Sequence, residues 1–215
     1  MKRTIRLVIL IMGLVMLLAG CGKKDNASET PTPTESEKNL PTYTVTESMS
    51  PTEAPKAGKT LVVYFSATGN TKNVAEMIAK TEEADIWEII PEQPYSKEDI
   101  NYQDYGCRAL KEQNDKSARP AIAVEKIDLS GYDKIYIGYP IWATQEPRIM
   151  DTFVEAYDFG TATVILFCTS GSSGIGTTGT RLANLAGSGN WKPGKRFPAN
   201  ATEEDVRKWI ESLSQ

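Results

Sequence analysis

The sequence predicts a doubly wound α/β domain on a five-stranded parallel sheet. Two observations carry that expectation. Short apolar runs rich in β-branched and aromatic residues alternate regularly with amphipathic segments, the order expected of strand–helix–strand units. The strongest runs are solidly apolar rather than alternating, as strands covered by helices on both faces must be. Connections between parallel strands are right-handed, and such sheets bind ligands outside the carboxyl ends of their strands. The loops after strands one, three and four are therefore where chemistry is expected.

Thr60–Phe65 (TLVVYF) reads as a central strand, and Thr71–Lys80 as a helix with Val74/Ile78 and Ala75/Ala79 on one stripe. Asp85–Ile90 reads as a second strand. The polar stretch 91–120 reads as an insertion, helical around Ala109–Gln113. Lys134–Tyr139 (KIYIGY) is a third strand, and Pro147 opens a helix at its first turn. Met150, Phe153, Val154 and Tyr157 mark that helix's buried face. Thr161–Phe167 is a fourth strand, followed by a Gly-rich loop and a helix near 177–186. A weak fifth strand falls near Lys195–Phe197. The last helix opens with a capping box, Thr202-Glu203-Glu204-Asp205, and buries Val206, Trp209, Ile210 and Leu213.

The chain has 215 residues, a net charge of −4 and no histidine. The missing imidazole excludes a Ser-His-Asp triad, a Cys-His pair and an imidazole-based metal site. Met1–Arg6 is basic and Leu7–Leu18 is apolar apart from Gly13. That is the pattern of a secretory signal. It is shorter than the roughly 20 apolar residues of a spanning helix, although a short uncleaved anchor is the alternative. Leu18-Ala19-Gly20-Cys21 resembles the lipobox of bacterial lipoproteins. The resemblance implies cleavage before Cys21 and a lipid thioether on its sulfur. Two or more acyl chains give stable anchoring. Cleavage takes away Lys2, Arg3 and Arg6 and no acid, moving the net charge from −4 to −7. Such a chain is a poor candidate for nucleic acid.

Residues 21–58 then form a lipidated cysteine and a disordered linker holding 5 of the 12 prolines, with Thr, Ser and Glu making up much of the rest. The folded domain is expected over 59–215, outside the cytoplasm and held at the membrane by lipid alone. Cys107 and Cys168 are expected as buried small side chains, with a disulfide as the alternative in an oxidising compartment.

Three loops carry chemistry. The first, Ser66-Ala67-Thr68-Gly69-Asn70-Thr71-Lys72, follows the best strand, opens a helix, is rich in hydroxyls and contains no acid. That composition suits a phosphate monoester, held by amides at a helix amino end. Simple capping by Asn70 and Thr71 is the alternative. The second, Tyr139-Pro140-Ile141-Trp142-Ala143-Thr144-Gln145-Glu146-Pro147, offers an aromatic. The third is Cys168-Thr169-Ser170-Gly171-Ser172-Ser173-Gly174-Ile175-Gly176. Its small residues let backbone amides approach a flat polar edge. Two Gly motifs are decoys. Gly174–Gly179 matches G-x-G-x-x-G away from the first strand–helix turn. Gly189–Lys195 is followed by Arg196 where a P-loop needs Ser or Thr.

The run Val63–Thr71, with Ala75 and Ile78, resembles the phosphate signature of flavodoxins. Gly138-Tyr139-Pro140-Ile141-Trp142, Pro147-Arg148-Ile149, Phe153 and the third loop resemble one flavodoxin-like subfamily, and the resemblance spans 59–215. It implies strand order 2-1-3-4-5 and FMN as cofactor. The FMN-binding residues it implies are Ser66, Thr68, Gly69, Asn70 and Thr71; then Pro140, Ile141, Trp142 and Ala143; then Thr169, Ser170, Gly171 and Gly174. Trp142 would stack on the ring or pack along its edge, with a core position as the alternative. Ala143 and Thr144 stand where the pattern has a second Trp and a Gly, and Glu146 where it has a small residue. Glu146 would then lie near the ring and oppose the charge added on reduction. Arg108 or Arg119 of the insertion would meet a partner or substrate.

The function this implies is an FMN-binding electron-transfer flavoprotein tethered outside the cytoplasmic membrane, exchanging electrons with a redox protein or small molecule. No side chain is needed as nucleophile or base. An NAD(P)H-dependent reductase of quinones or other small molecules is one alternative. A flavin-free surface binding module is the other.

Overall fold

The structure is a computed structural model that describes residues 58–214. The signal segment, the lipobox with Cys21 and nearly all of the linker lie outside the described residues. Ten elements follow one another: β1 (Lys59–Tyr64), α1 (Asn70–Glu82), β2 (Asp85–Glu88), α2 (Arg108–Asn114), β3 (Tyr132–Pro140), α3 (Arg148–Ala156), β4 (Thr163–Thr169), α4 (Thr178–Ala186), β5 (Asn190–Phe197) and α5 (Glu203–Ser212). The five strands pair in parallel in the order β2-β1-β3-β4-β5. This is the flavodoxin-like α/β fold.

Side chains two apart along a strand share a face, and both faces of the sheet are apolar. Leu61, Val63, Ile135, Ile137, Val164 and Leu166 pack on the side of Ile149, Phe153 and Val154 of α3 and Leu182 of α4. Val62, Tyr64, Tyr136, Ile165 and Phe167 pack on the side of Val74 and Ile78 of α1 and Val206 and Trp209 of α5. Full burial of each large apolar side chain contributes about 1.5–3 kcal/mol, so two such layers hold the sheet rigidly from either side. Gly138 lies opposite Phe167 in the β3–β4 register. A Cβ there would fall 2.0 Å from the Phe167 ring, so the phenyl fills the space a side chain would take.

The differences from the sequence reading are local. β5 runs from Asn190 rather than Lys195. Pro193 and Gly194 break the strand-like pattern, yet Gly194 lets β5 close on β4. A Cβ at 194 would sit 2.6 Å from the Leu166 carbonyl, beside a register irregularity between Ile165 and Phe167. Tyr157 is half-buried and Leu213 is 38 % exposed, where both were expected in the core. The α5 capping box forms: Thr202 Oγ1 accepts from Asp205 N at 3.2 Å, and Thr202 N donates to Asp205 Oδ2 at 2.9 Å. Cys107 and Cys168 are buried free thiols, and burial pushes the Cys168 thiol up to about 12.

Candidate functional site

The order β1-β3-β4 places the three singled-out loops side by side at the carboxyl ends of neighbouring strands. A hydrogen bond across 98 residues joins the first to the third: Thr71 Oγ1 and Thr169 Oγ1 lie 2.7 Å apart, both residues buried. One hydroxyl proton closes this bridge. The other remains free to donate elsewhere.

The first loop enters α1 through Gly69, whose φ of 89° is open to glycine at little cost. No side chain caps the helix, and its first turn holds no acid. Capping by Asn70 or Thr71 is therefore not what their side chains do. Ser66 Oγ accepts from Gly69 N at 3.1 Å, and Thr68 Oγ1 accepts from Asn70 Nδ2 at 3.4 Å. Both hydroxyls keep their own protons to donate. Thr68 is exposed and Ser66 half-buried. The arrangement is a turn of amide and hydroxyl donors at a positive helix end, free of competing carboxylates. This is the donor set for an anion.

The second loop is a tight turn. Trp142 and Gln145 exchange backbone hydrogen bonds at 2.7 and 2.9 Å, leaving Ala143 and Thr144 at φ 45° and 70°. Positive φ at both central positions is the geometry that ordinarily calls for Asn-Gly. Here Ala143 and a β-branched Thr144 carry it, and both are exposed. Pro140 and Ile141 lead into this turn half-buried, and Ile141 N donates to Thr169 O at 2.9 Å.

Trp142 takes the core position rather than that of an open stacking face. It is 5 % exposed and meets Phe65 and Tyr95 edge-to-face at 5.5 and 4.9 Å. Tyr95 is the site neighbour that the sequence reading missed. It lies in the insertion, where neither strand nor helix periodicity singles it out. Arg108 covers its ring at 4.0 Å and pairs with Glu112 at 2.7 Å, while Tyr95 Oη donates to the same Glu112. Arg119 is likewise engaged, with both Glu155 oxygens at 2.7 Å. The two arginines expected to meet a partner or substrate are thus spent on holding the insertion.

Glu146 does not face the open side of the loop. It is wholly buried, and its carboxylate pairs with Arg181 of α4. The contact is one of charge, since neither Glu146 oxygen receives an aligned hydrogen bond. Burial raises the pKa of the Glu146 carboxyl, and Arg181 partly offsets the rise. Around it, Arg148 donates to Asp151 Oδ2 at 3.2 Å and to the Gln113 carbonyl at 2.8 Å, Arg181 reaches Asp151 Oδ1 at 2.9 Å, and Gln113 Nε2 holds the Glu146 carbonyl at 2.8 Å. This network pins the second loop between α2, α3 and α4. Glu146 therefore does not oppose charge at the open face, contrary to what the sequence suggests, because its carboxylate is buried against Arg181.

In the third loop, Gly171 and Gly174 face open space, with nothing within 4 Å of a Cβ. Ser170 N donates to Phe197 O at 3.2 Å, and Ser170 Oγ turns back to the Ser173 carbonyl. Arg196 of β5, noted in the sequence only for spoiling a P-loop match, grips this loop. It donates to Ser170 Oγ at 3.1 Å, Ser170 O at 2.8 Å and Gly171 O at 2.6 Å. Clefts of about 520 and 650 Å³ lie around the amino ends of β1, β3 and β4, on the side of the sheet away from these loops, and one of about 460 Å³ lies between α4 and β5 beside Ile175 and Gly176 of the third loop.

A family model described as flavodoxin matches residues 59–213, and the chain belongs to the flavodoxin family. Among solved structures it is similar to a candidate flavoprotein from Bacteroides uniformis, at 41 % identity and a TM-score of 0.69, covering 73 % of this chain and 99 % of that one. A candidate flavoprotein from Bacteroides eggerthii matches at 38 % identity and TM-score 0.68, covering 74 % and 99 %. A flavoprotein from Lactobacillus acidophilus, crystallised in complex with FMN, shares the fold at 23 % identity and TM-score 0.56, covering 74 % of this chain and all of that one.

The strained turn gives a prediction. A non-glycine residue in the left-handed region costs about 1–2 kcal/mol, and glycine gives back about 0.5–1 kcal/mol through its freer unfolded chain. Thr144→Gly should therefore stabilise the fold by up to about 1 kcal/mol, seen as a higher urea midpoint at unchanged m-value. A lower midpoint would mean that Thr144 is held by contacts worth more than its backbone strain.

Proposed function

We propose that the chain binds FMN across the three loops and works as an electron-transfer flavoprotein held by lipidated Cys21 outside the cytoplasmic membrane. The observation that carries the reading is the acid-free, hydroxyl-lined amino end of α1, with no side-chain cap. Membership of the flavodoxin family and the FMN in the structure of the L. acidophilus relative support it.

The donor set fits FMN. Ser66 and Thr68 have hydroxyl protons to give, Gly69 and Asn70 shape the amide turn, and the Thr71–Thr169 bridge keeps one further donor. Pro140, Ile141, Trp142 and Ala143 would border the ring on one side. Thr169, Ser170, Gly171 and Gly174 would border it on the other, with open space above the glycines. Trp142 serves here by packing beneath the loop, not by offering its face. The flavin, when bound, supplies the electron chemistry, and the protein binds it, orients it and tunes its potential. The residues at the site need move no proton of their own. An NAD(P)H-dependent reductase and a flavin-free binding module are the readings this one displaces.

Each hydrogen bond to a charged group is worth roughly 1.5–3 kcal/mol. Replacing Ser66 and Thr68 together by Ala should weaken FMN by at least about a hundredfold while riboflavin, which lacks the phosphate, loses less than about threefold. Fluorescence quenching titrations of both flavins make the comparison. Equal losses would move the phosphate away from this loop.

For the anchor, Cys21→Ala should abolish lipid attachment and shift the protein out of the membrane fraction or leave the signal uncleaved. A mutant that is processed and retained in the membrane like the parent would remove the lipoprotein assignment.

A further inference from the structure

We propose that Arg196 is the positioning residue of the third loop, and that its unpaired charge shifts the site's preference toward reduced flavin relative to the same site without it. The proposal rests on the FMN reading above and goes beyond it by naming what sets the site's redox preference.

Two independent observations lead to it. The first is a charge count by pairs. Six arginines lie among the described residues. Arg108, Arg119, Arg148, Arg181 and Arg207 each have a carboxylate within 4.0 Å. Arg196 has none there, and its hydrogen bonds go to one hydroxyl and two carbonyls. In a chain with more acids than bases, a half-buried guanidinium left without a carboxylate, beside a loop at the ligand end of the sheet, is an exception to the rule the other five follow. Lys195, its neighbour, lies on the other face of the strand, over the Phe197 ring at 5.5 Å, and leaves Arg196 as the cation at this loop. Cys168, the cross-strand partner of Arg196, stays neutral, its thiol pushed up to about 12 by burial.

The second observation is the direction of the peptides. Arg196 Nη2 holds the carbonyls of Ser170 and Gly171 at 2.8 and 2.6 Å. In a trans peptide the N–H points opposite to the C=O. Drawing those two carbonyls toward Arg196 therefore turns the N–H groups of Gly171 and Ser172 the other way. Both residues are exposed, and neither N–H has a partner among the described residues. The guanidinium fork thus aims two amide donors outward and stands behind them as a fixed positive charge. Donors and charge act in the same sense. They favour whichever ligand form carries more negative charge, and a flavin that has taken up two electrons and one proton carries one more than the oxidised form.

The decisive experiment measures FMN affinity in both redox states, in the mature full-length protein and in two variants. Oxidised FMN is titrated by fluorescence, and the midpoint potential of the bound flavin under dithionite closes the cycle to the reduced form. Arg196→Gln should lower the preference for reduced over oxidised FMN by about tenfold, which is about 30 mV for a two-electron couple. Arg196→Lys keeps the charge but loses the fork. It should weaken both forms while retaining the preference within about threefold. Equal weakening of both forms by Arg196→Gln overturns the proposal, because the residue would then only hold the loop's shape. So does a Lys variant whose preference falls as far as that of the Gln variant. A parent protein that takes up no FMN overturns both this inference and the reading beneath it.

Discussion

The site depends on one constraint, the parallel register of β1, β3 and β4. Because β3 lies between the other two, three loops distant in sequence end on the same rim. The Thr71–Thr169 hydrogen bond, spanning 98 residues at 2.7 Å, then locks the first loop to the third. Ile141 N on the Thr169 carbonyl at 2.9 Å brings in the second. Donors at such a rim act together only if the rim is stiff. The two apolar layers on either face of the sheet supply that stiffness.

Charge is placed with the same economy. The first loop carries no acid and relies on amides, hydroxyls and a helix end, which suits an anion without trapping it in an ion pair. The carboxylates near the site, Glu146 and Asp151, are wholly buried and answered by Arg148 and Arg181. Their field is largely cancelled before it reaches the rim. Removing one member of such a buried set costs about 3–5 kcal/mol, because its partner is left uncompensated. The network is therefore a brace for the second loop and the 91–120 insertion rather than a source of potential at the ligand. Arg196 is the exception, bonded to neutral oxygens alone.

Much of this was legible in the sequence. The strand–helix alternation, the first loop and the α5 cap follow from local patterns whose signals are strong: the solid run TLVVYF, a hydroxyl-rich turn without acids, and Thr202 three residues before Asp205; the strand order comes from the family resemblance. The misplaced details share a cause. Trp142 and Glu146 sit in a loop with no period, so nothing in the sequence fixes which way their side chains turn. A positive-φ turn at Ala143–Thr144 rotates the chain so that Trp142 meets Phe65 and Tyr95, and Glu146 meets Arg181. Tyr95, Gln113 and Arg181 owe their roles to contacts 33 to 47 residues away in sequence. Arg196 was hidden because β5 is broken in pattern by Pro193 and Gly194.

The central claim is that the amide turn opening α1 receives a phosphate. Backbone amide shifts in a heteronuclear NMR titration of the mature protein test it directly. FMN should move the amides of residues 66–72 strongly. Riboflavin should leave them nearly unmoved while still shifting those of the second and third loops. If FMN and riboflavin shift residues 66–72 alike, or if neither moves them, the phosphate lies elsewhere and the account of the first loop is wrong.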